Sequence, residues 1–150
     1  MTSGRSLAGP PHGGMFRRVL VGFDGSTEAK HALRVALALA ADVHGEARVL
    51  LVVRTPAHSE TPEEQARAAE AERENLSRGL SEFHLPEHPD VSMEVAYADD
   101  PGRAIAAYAA EHGFDIVVVG GHGREHTTHR GLGQSVEALL RDHPCPVLVV

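Results

Sequence analysis

At 150 residues the chain has the size of one domain, long enough to bury a core without disulfide or metal staples. A formal net charge of −7 excludes the basic face of a general nucleic-acid binder, so any phosphate recognition has to be local, and a single cysteine, Cys145, excludes an internal disulfide. With 42% hydrophobic residues, 4% aromatic and no tryptophan, the core has to be aliphatic; no apolar run approaches the roughly 20 residues that cross a bilayer, and Met1–Arg5 is not followed by the apolar stretch of a signal peptide, which reads as cytoplasmic with no membrane partner.

Residues 1–15 carry Gly9-Pro10-Pro11-His12-Gly13-Gly14 and are expected to form a flexible tail ahead of one domain over 16–150. Arg18–Phe23 reads as a buried strand, and Asp24-Gly25-Ser26 as a turn whose Ser26 caps a helix with Ala29, Leu33, Ala36, Leu37 and Ala40 inward, closed by His44-Gly45. Ala47–Val53 is a second buried strand. Thr61 and Pro62, followed by Glu63 and Glu64, open a polar helix to about Phe83 that covers the sheet through Leu76, Leu80 and Phe83. After the break at 84–89, Val91–Tyr97 alternates apolar and polar side chains, as an edge or half-covered strand does. Asp100-Pro101 starts a helix with Ile105, Ala106 and Ala109 inward, stopped at His112-Gly113. Phe114–Val119 is the fourth strand, Gly133–His143 the last helix and Pro146–Val150 the last strand. Strands alternating with helices specify an α/β fold, a parallel sheet with helices on both faces, whose ligands bind beyond the carboxyl ends of the strands where strand order reverses.

The chemistry concentrates after the fourth strand, where Gly120-Gly121-His122-Gly123 is followed nine residues later by Gly133. Residues without a Cβ let backbone N–H groups approach an anion, and the next helix points its positive dipole end at the same place; the competing reading is plain turn and helix-start geometry. Asp24 likewise has two readings, a cap for the first helix or an acceptor for an adenine amino group or a ribose hydroxyl. Val52 and Val53 at the end of the second strand offer an apolar wall and backbone hydrogen bonds to a base. Of 11 histidines, His122, His126 and His129 fall in the glycine loop; with no cysteine and only Glu125 nearby they read as solvated, not as a metal site, with Arg124 and Arg130 available to phosphates. The charged stretch Glu63–Arg73 reads as a solvated helix face.

Val19-Leu20-Val21-Gly22-Phe23-Asp24-Gly25-Ser26, Asp100-Pro101, Val117–Gly123 and Pro144-Cys145-Pro146-Val147-Leu148-Val149-Val150 together resemble the universal stress protein family along nearly all of the chain after Met15. Its ATP-binding members carry Gly, two residues, Gly, nine residues, Gly, then Ser or Thr; Gly120, Gly123 and Gly133 keep that spacing, and Gln134 stands in the last place. The resemblance implies an open, doubly wound, Rossmann-like five-stranded parallel sheet of order 3-2-1-4-5, of the adenine nucleotide alpha hydrolase-like kind. It also implies that Gly120, Gly123, Gly133 and the backbone amides of Gln134 and Ser135 hold ribose and phosphates, while Asp24 and the backbone at Val53 place adenine. Gly22, Phe23, Gly121, His122 and Arg124 complete the expected cofactor-binding set, for ATP with or without Mg²⁺. A lost hydroxyl contact at Gln134 costs on the order of 1 kcal/mol unless water, Ser135 or the Gln amide replaces it.

The resemblance further implies a homodimer through the last strand, which the exposed apolar edge Val147–Val150 also suggests. No Walker lysine, arguable Ser-His-Asp set or nucleophile elbow is present in the sequence, which favours a nucleotide-binding stress-response regulator with no catalytic residues. The alternatives are a slow ATP-hydrolysing or nucleotide-transferring enzyme, in which Asp24, Glu125 and the loop histidines position water or an acceptor, and a dimeric stress protein that binds no nucleotide.

Overall fold

The computed structural model describes residues 16–54, 61–83, 90–121 and 134–150, with only the backbone described at 134 and 135. Five strands alternate with four helices: β1 (Arg18–Phe23), α1 (Thr27–Asp42), β2 (Glu46–Arg54), α2 (Pro62–Ser81), β3 (Asp90–Ala98), α3 (Pro101–His112), β4 (Ile116–Val119), α4 (Gln134–Arg141) and β5 (Val147–Val149). All strands are parallel, in the order β3-β2-β1-β4-β5. The expected fold is therefore the observed one, and among the described residues no helix is long and apolar enough to cross a membrane.

Alternation along the strands divides the core. Val19, Val21, Phe23, Val49, Leu51, Val53 and Val118 pack under α1 and α2, whereas Leu20, Leu50, Val52, Val117 and Val119 pack under α3 and α4. β1, β2 and β4 are buried on both faces, which is why they read as nearly unbroken Val and Leu runs. β3 lies at the edge and is half-covered, as its alternating sequence suggests, but runs one residue further at each end.

The helix boundaries follow their caps. Ser26 Oγ accepts from Ala29 N–H at 3.0 Å, Thr61 and Glu64 form a reciprocal capping box, and Asp100 accepts from Arg103 N–H at 3.2 Å. α1 ends in a Schellman motif in which His44 N–H reaches Ala41 C=O at 3.2 Å and Gly45 N–H reaches Ala40 C=O at 2.8 Å. The left-handed residue there is His44, at φ 52°, and not the glycine. Gly45 is needed for a different reason: a Cβ would lie 2.2 Å from the Arg17 carbonyl oxygen. The fourth strand is shorter than the apolar run from Phe114, because Asp115 uses its carboxylate to accept Arg18 N–H at 2.8 Å before the ladder begins.

Candidate functional site

β1 has β2 on one side and β4 on the other, so the sheet reverses direction of winding between β1 and β4. That is the switch point at which a crevice opens beyond the carboxyl ends of the strands. Asp24 leaves β1 there and Gly120 leaves β4 there, so the starts of the two loops that the sequence singles out are neighbours.

The loop after β1 is built by side-chain hydrogen bonds. Asp24 Oδ1 accepts Ser26 N–H at 2.9 Å, an Asx turn, and Gly25 takes φ 82°, a conformation that L side chains resist. This turn delivers Ser26 to the cap of α1 and points the first turn of the helix, with its positive dipole end, at the crevice. Both readings of Asp24 thus start from one arrangement: it organises the cap through Ser26 and stands half-buried at the mouth of the switch point.

Gly120 is where β4 passes that helix. A Cβ on it would meet Glu28 Cβ at 2.6 Å, Glu28 carbonyl carbon at 2.8 Å and Ala29 N at 3.0 Å. The missing side chain at Gly120 therefore lets the α1 backbone close on the end of β4, and the space it leaves is filled by the protein. Gly121 differs. Its nearest would-be contacts lie 3.7 Å away, at Val149 Cγ1 and the Val150 carbonyl oxygen, but its own N–H is already given to that carbonyl at 3.1 Å. The return bond, Val150 N–H to Val119 C=O at 2.9 Å, ties the last residue to the start of the loop.

On the other side of β1, register leaves part of β2 projecting. The last pair between β1 and β2 is Phe23 with Leu51, while β2 continues through Val53 paired with Tyr97 and Arg54 paired with Ala98 of β3. Val52, Val53 and Arg54 thus extend past the end of β1 on the side facing the crevice. Val53 is fully buried, so what it presents there is backbone.

Gly22 and Phe23 face the two halves of the core. A Cβ on Gly22 would meet Ile105 Cδ1 at 2.8 Å, and Phe23 is 1% exposed among the residues under α1. They support the crevice floor and bring no side chain into it. Glu28, not singled out from the sequence, stands against Gly120; its place as an acid in the first turn of α1 was the available signal. His122, Gly123, Arg124 and Gly133 lie outside the described residues, as do His126 and His129; Gln134 and Ser135 are the first two residues of α4. Among the described residues no group of three or more His, Cys, Asp or Glu side chains is placed to hold a metal.

The model of the universal stress protein family matches residues 15–150. A universal stress protein of Thermus aquaticus, from the QAH/OAS sulfhydrylase 3' region, is 29% identical over 143 residues, covering 91% of this chain and 99% of its own. Among solved structures, UspA of Lactobacillus plantarum superposes with a TM-score of 0.81 at 22% identity, over 90% of this chain and 97% of its own. A universal stress protein in complex with cAMP gives a TM-score of 0.63 at 21% identity, over 91% and 98% of the two chains. One from Archaeoglobus fulgidus in complex with dAMP gives 0.60 at 15% identity, over 91% and 98%.

Proposed function

For this chain, which belongs to the universal stress protein family, we propose the role of an adenine-nucleotide-binding regulator, with ATP, with or without Mg²⁺, as its ligand. The observation that carries the reading is the meeting at one switch point of the Asp24 turn, the capped start of α1, the end of β4 at Gly120 and the projecting backbone of β2. The complexes of two structural relatives with cAMP and dAMP support an adenine ligand. In this arrangement the β2 backbone at Val53 and the Asp24 carboxylate recognise the base and ribose, and the helix start and the glycine spacing Gly120, Gly123, Gly133 receive phosphate. The fit is uneven: Gly121 N–H and the space beside Gly120 are used within the protein, so phosphate binding falls to the amides around Gly123, Gly133, Gln134 and Ser135.

The same reading includes a cytoplasmic homodimer joined through Val147–Val150. β5 is a three-residue strand at the sheet edge, and its apolar side chains are only half-buried in one protomer, which supports a further partner there. A monomeric mass of the purified chain would remove this part.

Thermal unfolding tests nucleotide binding. A ligand bound only by the folded state at 100 times its Kd adds about 2.7 kcal/mol, so millimolar ATP with Mg²⁺ raises Tm. Gly123→Val and Gly133→Val each abolish the rise while leaving the ligand-free Tm in place, because a side chain there occupies phosphate space. No rise with ATP, ADP, AMP or cAMP overturns the reading. Mass spectrometry of what the denatured protein releases identifies the nucleotide it carries.

A further inference from the structure

Glu28 stands at the crevice mouth and has no part in the binding scheme proposed so far. The polar groups around it are committed: Asp24 holds Ser26 N–H at 2.9 Å and Ser26 Oγ caps Ala29 N–H at 3.0 Å. Acids that open the other helices are used in the same way, Glu64 accepting Thr61 N–H at 2.8 Å and Asp100 accepting Arg103 N–H at 3.2 Å. The Glu28 carboxylate, by contrast, makes no hydrogen bond or ion pair among the described residues, although the residue is half-buried. Packing fixes where it stands. Ala32, one turn on, is fully buried, so Glu28 lies on the inward side of α1, and its Cβ and carbonyl carbon are the atoms that a side chain at Gly120 would strike, at 2.6 and 2.8 Å. Side chains on a helix lean toward its N-terminus, and α1 begins at the carboxyl end of the sheet. The carboxylate is therefore aimed at the mouth, beside the first glycine of the spacing Gly120, Gly123, Gly133.

We propose that Glu28 is a specificity residue that penalises each phosphate charge a nucleotide brings, a role that rests on the proposed nucleotide binding and adds what orders one nucleotide against another. An acid in the first turn of a helix is attracted by the positive dipole end, and in answering that end it removes part of what an anion would be offered there. Beside the phosphate path the same carboxylate acts by Coulomb repulsion, which grows with the charge of the ligand and leaves an uncharged one nearly untouched. Adenosine, AMP and ATP form a series of rising charge on one base and sugar. Glu28 therefore weakens ATP most, AMP less and adenosine least, and its removal strengthens binding in that same order. A carboxylate that instead accepts a ribose hydroxyl would help all three alike, so the series separates repulsion from contact.

Calorimetric titration of the full chain with adenosine, AMP and ATP reads the result, in EDTA so that no divalent cation masks phosphate charge. Glu28→Gln keeps the length of the side chain and removes its charge: ATP affinity rises about fivefold, AMP affinity less and adenosine affinity least. The differences shrink at high salt, as screened charges require. Glu28→Asp, which keeps the charge, retains the wild-type ratio of ATP to adenosine affinity, and a cooperative thermal transition without ligand confirms that each variant is folded. Equal changes for all three ligands overturn the proposal, as does weaker ATP binding by Glu28→Gln. If neither wild type nor Glu28→Gln binds any of the three, nucleotide binding itself is refuted and the role of Glu28 with it; binding with a flat response to Glu28→Gln refutes that role alone.

Discussion

The two ends of the parallel sheet are built by different means. At the amino end strands and loops are tied by reciprocal hydrogen bonds: Arg18 N–H goes to Asp115 at 2.8 Å, Asp115 N–H returns to Arg18 C=O at 2.9 Å, and Glu46 N–H goes to Arg17 C=O at 2.8 Å. The Arg18 guanidinium binds Glu46 at 2.8 Å and the carbonyls of His112 and Gly113, and lies 4.7 Å from the Phe114 ring centroid, with Arg48 at 5.4 Å from the same ring. At the carboxyl end, order comes instead from absent side chains and one short turn. Gly120 admits α1, Asp24 holds Ser26, and β2 runs on past β1. Side chains lock the amino end; the carboxyl end, where the proposed nucleotide would bind, is shaped mainly by backbone.

Substitutions that treat the two ends alike should therefore give unlike results. The largest effect is expected at Gly120→Ala, because the new methyl meets the α1 backbone below 3.0 Å and something must shift. Overpacking of this kind costs about 1–3 kcal/mol, visible as a lower midpoint in urea. Gly121→Ala, two ordinary contacts at 3.7 Å away from its neighbours, stays within about 0.5 kcal/mol of wild type. Equal losses at the two glycines would erase the distinction between close approach and open loop. Asp115→Ala comes next. It leaves Arg18 N–H without its partner and costs about 1–2 kcal/mol in the same measurement, with no change in any nucleotide-induced rise in Tm.

Asp24 decides whether the carboxyl end does more than hold itself together. In Asp24→Asn the side-chain carbonyl still accepts Ser26 N–H, so the turn and the ligand-free Tm survive. Only the charge goes. If the carboxylate also meets a nucleotide, affinity falls by roughly 1 kcal/mol, about fivefold, in a calorimetric titration. Unchanged affinity would assign Asp24 to the cap of α1 alone.

Hydrophobic pattern carried most of this architecture. Arg18–Phe23 could be bounded from the sequence because an unbroken apolar run stops at an Asp-Gly pair, and β3 could be placed at an edge because its polar residues alternate. Pattern overran at Phe114, since an apolar residue followed by a carboxylate that replaces a ladder bond looks like strand. It placed the end of α1 at His44-Gly45 without showing that His44 makes the left-handed turn, because composition does not show which backbone a missing Cβ is clearing. Gly120 is the same lesson in the candidate site. Its spacing to Gly123 and Gly133 pointed to phosphate, while its contact with Glu28 depends on how closely α1 and β4 pack, which only three dimensions reveal.

The smallest expected effect returns to the locked end and tests how far its groups are coupled. Cys145 is half-buried just before β5, and burial, with the Asp115 carboxylate adding repulsion, pushes its thiol above the ordinary value. The raised value means that the thiol ionises more easily in the unfolded chain. Its contribution to stability is complete below the ordinary thiol range, near pH 8.5, and is lost as pH rises through the folded value. Alkylation by iodoacetamide at that pH should be several-fold slower in native protein than in urea. Asp115→Asn, which keeps an acceptor for Arg18 N–H while removing the negative charge, should recover a small part of the difference. Equal native and unfolded rates would show that Cys145 is outside the packed end, and a rate indifferent to Asp115→Asn would leave burial as the sole cause.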